Sequence, residues 1–258
     1  MSEELVITEK RGHIQVLTLN RPEDMNAFNT ALATALGEAL EAMDNDTDIR
    51  VGVLTGAGRG FSAGMDLKQF ADGGIDAMPN VGDRGFAGIT EKSCAKPLIA
   101  AVEGFALAGG LEVALSCDLI VASEDAKLGL PEPRRGLMAD GGGIQGLIRQ
   151  IPFKQAMEII LSGEFIDAKK GYEIGIVNRL SKKEDLMKEV NNLADSILKC
   201  SPMAIQAAKQ SAVLGKDMNY DDARIAEFSM FTKLKKSNDF VEGPKAFSEK
   251  RNPKWKSE

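Results

Sequence analysis

The sequence predicts an α/β fold in which strand–helix–strand units are followed by a helical last quarter. Three patterns carry that reading. Residues 5–9 and 14–20 alternate apolar and polar like paired strands, with Gly12 at the turn between them. In the span 26–44, Leu32, Leu36, Leu40 and Met43 recur at helical spacing, and the β-rich stretch 51–55 follows. The theme then repeats: 97–102 reads as a buried strand, 109–117 as a helix and 119–122 as another strand. After Lys182 the pattern is almost wholly helical, through 204–214 and 221–235. No fixed-period repeat or low-complexity linker interrupts it.

The chain has 258 residues, 43% hydrophobic and 27% charged, enough apolar material for a substantial core. A net charge of −6 argues against a nucleic-acid partner held by a general basic surface. The lysine-rich stretch 245–256 is the exception to that balance. Cys94, Cys117 and Cys200 have no metal-ligand spacing and leave an odd thiol, which reads as a reduced, cytoplasmic protein. The acidic start, Met1 to Leu5, does not resemble a signal peptide, and no apolar run is long enough to span a membrane. The single histidine, His13, falls in the first turn and reads as a surface residue, so histidine triads and multi-histidine zinc sites are set aside.

Two glutamates stand where a fold without chemistry would not leave them. Glu112 lies inside the apolar run 111–117, and Glu132 lies between Pro131 and Pro133. Burying an unpaired carboxylate costs several kcal/mol, so such groups are either satisfied by a structural partner or used in a site. Pro133 biases Glu132 toward an extended backbone. Residues 96–112 (KPLIAAVEGFALAGGLE) feed a strand into Gly109–Gly110 at a helix start, where amides lack intrahelical acceptors and the dipole favours negative charge. Glu112 shares that first turn. The glycine-rich loop 56–61 lacks the third glycine of a dinucleotide fingerprint, since Phe61 occupies its place. The small residues of 61–68 (FSAGMDLK) suit a backbone donor that approaches a ligand closely.

At these segments, together with LNRPE at 19–23, Asn26–Ala27, Cys117–Asp118, GLPE at 129–132, DGGG at 140–143, and 240–243 through 250–251, the sequence resembles the enoyl-CoA hydratase/isomerase superfamily, the crotonase fold. The resemblance spans nearly the whole chain. It implies an α/β, ClpP/crotonase-like spiral of ββα repeats over 1–200 that carries CoA binding and catalysis, with a C-terminal helical trimerisation region at 201–258. A homotrimer or dimer of trimers is implied. So is coenzyme A as part of the substrate, with no permanently bound cofactor, no metal, no nucleic acid and no membrane partner.

Carried over residue by residue, the resemblance makes the backbone amides of Met65 and Gly109 an oxyanion hole for the thioester oxygen. It makes Glu112 and Glu132 the acid–base pair that adds water across an α,β-double bond, Glu112 activating water and Glu132 protonating Cα. Arg21, Asn26, Ala27, Ala63, Asp66, Leu67, Lys68 and Gly110 fall to the substrate and coenzyme A side. Phe231 and Lys250 match a C-terminal aromatic and lysine that reach the nucleotide, with a neighbouring subunit contributing. Asp140 departs from the glycine common in hydratases, and relatives that isomerise dienoyl thioesters, dehalogenate or handle carnitine-type acyl groups often carry an acid there. Pro133 and Arg134–Arg135 also depart from the aliphatic residues common in short-chain hydratases, and Ala108 replaces a third glycine. Hydration is the leading expectation. The alternatives are enoyl- or dienoyl-CoA isomerisation, a carnitinyl-CoA dehydratase-like activity, and a non-catalytic acyl-CoA or RNA-binding relative. The segment 78–88, bearing glycine and proline, is expected to be mobile and to border the acyl chain.

Overall fold

The structure is a computed structural model and describes residues 4–256. The expectation drawn from the first three residues, and the outermost ends of the 1–200 and 201–258 division, lie outside the described residues. A six-stranded sheet has the order β1-β2-β3-β4-β6-β9, built from β1 (Val6–Arg11), β2 (Ile14–Leu19), β3 (Val51–Gly56), β4 (Leu98–Val102), β6 (Leu119–Ser123) and β9 (Arg179–Ser181). Only the β1–β2 hairpin is antiparallel; every later neighbour in this sheet is parallel. A smaller sheet joins β5 (Phe105–Leu107), β7 (Lys127–Gly129) and β8 (Ile166–Asp167). The chain thus passes from β4 in the large sheet to β5 in the small one, through α3 (Gly109–Ser116), and back to β6 beside β4. That is one ββα turn of a spiral. Ser62, bridged in parallel to Ala106, supplies the equivalent short strand to the turn before it.

Both faces of the inner strands β3, β4 and β6 are buried, which explains their apolar runs, while β1 at the edge is exposed beyond Val6. Leu54, Leu98, Ala100 and Val102 face the main core, while Val51, Val53, Ile99 and Ala101 face the other side. Alternation along a strand sends neighbours to opposite faces. The second face is covered by Leu186, Val190 and Ala194 of α7 (Leu186–Leu198). Burying Leu186 and Val190 contributes about 1.5–3 kcal/mol each. The main face receives α1 (Thr30–Asn45) through Leu32, Leu36, Leu40 and Met43, the positions predicted from spacing.

Helix α1 begins four residues later than the sequence pattern suggests. Met25 and Asn26 both take positive φ (56° and 52°), and the Asn29 side chain caps the helix by accepting the Leu32 amide at 2.8 Å. Between α1 and β4 lie α2 (Leu67–Gly73) and a loop. That loop is docked rather than loose: Arg84 to Ile89 are buried, and a methyl on Gly88 would lie 2.7 Å from the Ala33 carbonyl of α1. After β7 come α4 (Gly143–Gln150), α5 (Phe153–Ser162) and α6 (Ala168–Ile174). The chain ends in helices α8 (Pro202–Gly215), α9 (Tyr220–Ile225), α10 (Ser229–Leu234) and α11 (Asn238–Ser248). The continuous helix expected over 221–235 is therefore split. The backbone is extended at Ala226 and Phe228, and Gln210 of α8 supports the new helix start, its side-chain oxygen accepting the Met230 amide at 2.8 Å.

His13 does lie exposed in the first turn, its Nδ1–H donating to the Asp48 carbonyl at 2.7 Å. The three cysteines are free, and burial pushes the Cys94 thiol up to about 12. Among the described residues no helix is long and apolar enough to cross a membrane.

Candidate active site

The two glycine-containing segments meet at the start of α3. The Ser62 amide donates to the Phe105 carbonyl at 3.2 Å, and the Leu107 amide returns to the Ser62 carbonyl at 3.0 Å. This pairing carries residues 62–65 alongside 105–109. A methyl on Gly64 would lie 2.8 Å from the Gly109 nitrogen, and one on Gly110 would lie 2.3 Å from the Ser62 carbonyl oxygen. Only glycine permits so close an approach. On the other side, the Phe28 amide donates to the Gly64 carbonyl at 2.7 Å and the Asp66 amide to the Phe28 carbonyl at 2.9 Å. That bridge uses the groups flanking Met65 and leaves its own amide pointing away. Neither the Met65 nor the Gly109 amide has an acceptor among the described residues. Ala108, at φ 51° and ψ −130°, turns the Ala108–Gly109 peptide, and its carbonyl accepts from Leu111 and Glu112.

Both amide-bearing residues line a cavity of about 610 Å³, within the range of small-molecule sites. Glu112, Glu132 and Asp140 line it too, as do Ala27, Ala63, Asp66, Leu67 and Lys68. Glu112 is 4% exposed and Glu132 8%. The Gly143 amide donates to Glu112 Oε1 at 2.9 Å. Burial nevertheless pushes the Glu112 carboxyl up to about 7, with the charges of Glu132 and Asp140 adding to the rise and the Gly143 and Gly141 amides opposing it. The Glu132 carboxyl is also raised, first by burial and then by Asp140, against the pull of its own backbone and of Arg135. Its Oε2 is buried with no hydrogen-bond partner among the described residues.

Glu132 does not stand in an extended segment. It opens a 3-10 turn, Glu132–Arg135, closed by the Arg134 amide on the Pro131 carbonyl and the Gly136 amide on the Pro133 carbonyl. Pro133 sits at a position of the turn where no N–H is needed.

Three other residues assigned to substrate stand behind the cavity wall. The Arg21 guanidinium donates to the Ala27 carbonyl, Asp24 and Asp66. Asn26 is fully buried, accepts the Arg21 amide, and donates to the Ala57 and Gly60 carbonyls at 2.9 Å. Their polar groups are consumed in shaping the loop that presents Ala27. Gly110 is likewise buried beneath Ser62. Phe231 on α10 and Lys250 after α11 do not line the cavity of their own chain.

Sequence reasoning assigned no role to Gly141 and Gly143, which cradle Glu112, or to Met138 and Phe165, which line the cavity; Phe86 also lines it and belongs to the segment 78–88 expected to border the acyl chain. The glycine run 141–143 signals a close backbone approach; no comparable pattern marks the apolar lining.

Free amides and buried carboxyls raised above their ordinary range, around one cavity mounted on a ββα spiral, define an acid–base enzyme of the crotonase fold. The chain belongs to the enoyl-CoA hydratase/isomerase family, whose model matches residues 9–258. A carnitinyl-CoA dehydratase from Salmonella heidelberg is 38% identical over 262 residues, covering 99% of each protein. The crystal structure of an enoyl-CoA hydratase from Mycobacterium marinum superposes with a TM-score of 0.94 at 42% identity, covering 99% of this chain and 100% of that one. That of a carnitinyl-CoA hydratase from Mycobacterium avium gives 0.79 at 37% identity, with both chains fully covered.

Proposed function

We propose that this enzyme adds water reversibly across the α,β-double bond of an acyl-CoA thioester. The thioester oxygen accepts from the Met65 and Gly109 amides, which stabilise the enolate that forms when water attacks Cβ. Each such preorganised donor contributes about 2.7–4 kcal/mol to catalysis. Glu112, held in place by Gly143, orients the water and takes its proton; Glu132 delivers a proton to Cα from its unpartnered oxygen. Dehydration is the same path reversed. The observation that carries this reading is the convergence of two acceptor-free amides and two buried, upshifted carboxyls on one cavity.

Ala27, Ala63, Asp66, Leu67 and Lys68 form the coenzyme A side in this reading, with Arg21 and Asn26 acting through the loop they brace and Gly110 through the contact with Ser62. Coenzyme A enters only as part of the substrate. Residues 201–258 serve assembly into a trimer or dimer of trimers, in which Phe231 and Lys250 of a neighbouring subunit approach the nucleotide. The exposed Tyr220, Ile225, Phe231, Val241 and Phe247 support that role. A cytoplasmic setting accords with the free cysteines.

The test is the ultraviolet absorbance of the conjugated thioester. Crotonyl-CoA should lose it on addition of the enzyme, because hydration removes the conjugation. A gain of absorbance from 3-enoyl-CoA, with none lost from crotonyl-CoA, would make the enzyme an isomerase. A second reading, dehydration of a carnitinyl thioester, is favoured by the named relatives and by Asp140, whose carboxylate lines the cavity and suits a cationic acyl group. Turnover of carnitinyl-CoA well above that of 3-hydroxybutyryl-CoA would select it.

A further inference from the structure

Phe86 lines the cavity and is 6% exposed, yet belongs to neither the amide pair nor the carboxyls. Its position is defined at both ends. A methyl on Gly109 would lie 2.4 Å from Phe86 Cζ and 2.6 Å from Cε1, so the tip of the ring rests on the Gly109 backbone. A methyl on Gly141 would lie 3.2 Å from Phe86 Cβ and 2.8 Å from Glu112 Oε2, so the base of the side chain lies beside the Glu112 carboxyl. The side chain therefore runs from the carboxyl that handles water to the amide that holds the thioester oxygen. Cβ, Cα and the thioester carbon must lie along that same line.

The ring is held firmly. Phe28 meets it edge-on at 5.9 Å and 65°, and Phe28 is itself bridged to Met65. The backbone around Phe86 is fixed by the Ala87 amide on the Pro79 carbonyl and the Val81 amide on the Gly85 carbonyl, both at 2.9 Å. Gly85, Ala87 and Gly88 all take positive φ to make this turn, and Gly88 is pressed against α1. A side chain so wedged cannot yield volume to a substrate without moving one of the two donor segments.

The geometry points to Phe86 as a specificity-determining wall that admits acyl groups unbranched at Cα and rejects those bearing a Cα methyl. This rests on the hydratase reading, since it places the three reacting carbons beside the ring. The substrate class is the 2-enoyl thioester with hydrogen at Cα.

Two measurements test it. The first compares kcat/KM for crotonyl-CoA and for its Cα-methyl homologue in the wild type, Phe86→Leu and Phe86→Ala. The wild type should prefer the unbranched substrate by about 50-fold or more, and both variants should narrow that preference by at least about tenfold. Leucine keeps most of the bulk, so it carries the test if alanine does not fold. A wild type that hydrates both substrates equally, or a preference unchanged in the variants, overturns the proposal. The second compares binding of butyryl-CoA and its Cα-methyl homologue 2-methylbutyryl-CoA, which cannot be hydrated. The wild type should bind the unbranched ester more tightly and Phe86→Leu should close the gap; equal binding by the wild type overturns the wall whatever happens to turnover. Failure to hydrate crotonyl-CoA with the binding preference intact overturns the hydratase reading instead.

Discussion

Glu112 and Glu132 face one cavity but are held in opposite ways. Glu112 projects from a regular helix into a cradle of glycine backbone, with Gly143 donating to one oxygen and Gly141 lying close to the other. Glu132 comes from a single 3-10 turn and keeps one oxygen buried and, among the described residues, unpartnered. The first arrangement fixes a carboxyl in space; the second leaves one with an unmet need for a partner. In the proposed mechanism the contrast separates the group that orients water from the group that hands over a proton, and it can be broken or sharpened experimentally.

The largest expected effect is on turnover. Glu112→Gln and Glu132→Gln should each lower kcat for crotonyl-CoA by about 100-fold or more while leaving binding of the ester largely intact, as for acid–base groups that act in the transition state. Retained turnover in both would end the two-carboxyl mechanism.

Next comes stability against pH. The folded-state value for Glu112 lies above its ordinary 4.5, at about 7. Its contribution is therefore fully present below pH 4.5 and lost as pH rises through about 7. Glu112→Gln removes that loss, so at pH 8 the variant should be more stable than the wild type by up to about 3 kcal/mol, with little difference at pH 4. Denaturant unfolding at the two pH values reads this directly. A constant difference would show that the carboxyl pays no burial cost.

A smaller effect distinguishes the two supports. A methyl on Gly143 would lie 3.0 Å from Glu112 Cγ and Oε1, whereas one on Gly136, which caps the Glu132 turn at φ 71°, meets open space. Gly143→Ala should lower kcat about tenfold by displacing Glu112. Gly136→Ala should cost about 1 kcal/mol of stability through backbone strain and leave the rate unchanged. Equal rate losses would dissolve the comparison.

The smallest effect concerns Asp140, whose charge raises both glutamates. Hydration needs a proton on the pair, so kcat/KM should fall at alkaline pH as the last one leaves. Asp140→Asn lowers both carboxyl values and should move that limb to lower pH. A pH profile identical to that of the wild type would remove Asp140 from the electrostatics of the site.

Most of the large sheet was legible in the sequence because its longer strands obey a local rule; the three-residue β9 was not. The apolar runs of β3, β4 and β6 follow from burial on both faces, whereas β1 is exposed beyond Val6 and is held by its pairing with β2. The small sheet was not legible. Its strands β5, β7 and β8 have at most three residues each, too short for any period to register, and they exist only because the spiral brings them together. The split between α9 and α10 was hidden for a related reason: the new helix start is supported by Gln210, some twenty positions away on another helix. At the site, Glu112 was visible as a charge in an apolar run and Gly109 as a glycine at a helix start. The bracing roles of Arg21 and Asn26 were not visible, because a polar side chain does not announce whether its partner is a ligand or its own backbone.

The amino-acid order by itself determined the α/β class, the helical close, the two glutamates that demand an explanation and the glycines that open backbone amides. Local periodicity and the cost of burying charge suffice for all of these. Tertiary structure alone decided that the amides of Met65 and Gly109 are left without acceptors among the described residues, that Glu112 leans on Gly143, and that Phe86 spans the distance from Gly109 to Glu112. Those are relations among residues 23 to 44 positions apart, and they are set by close packing, which has no signature in any single segment.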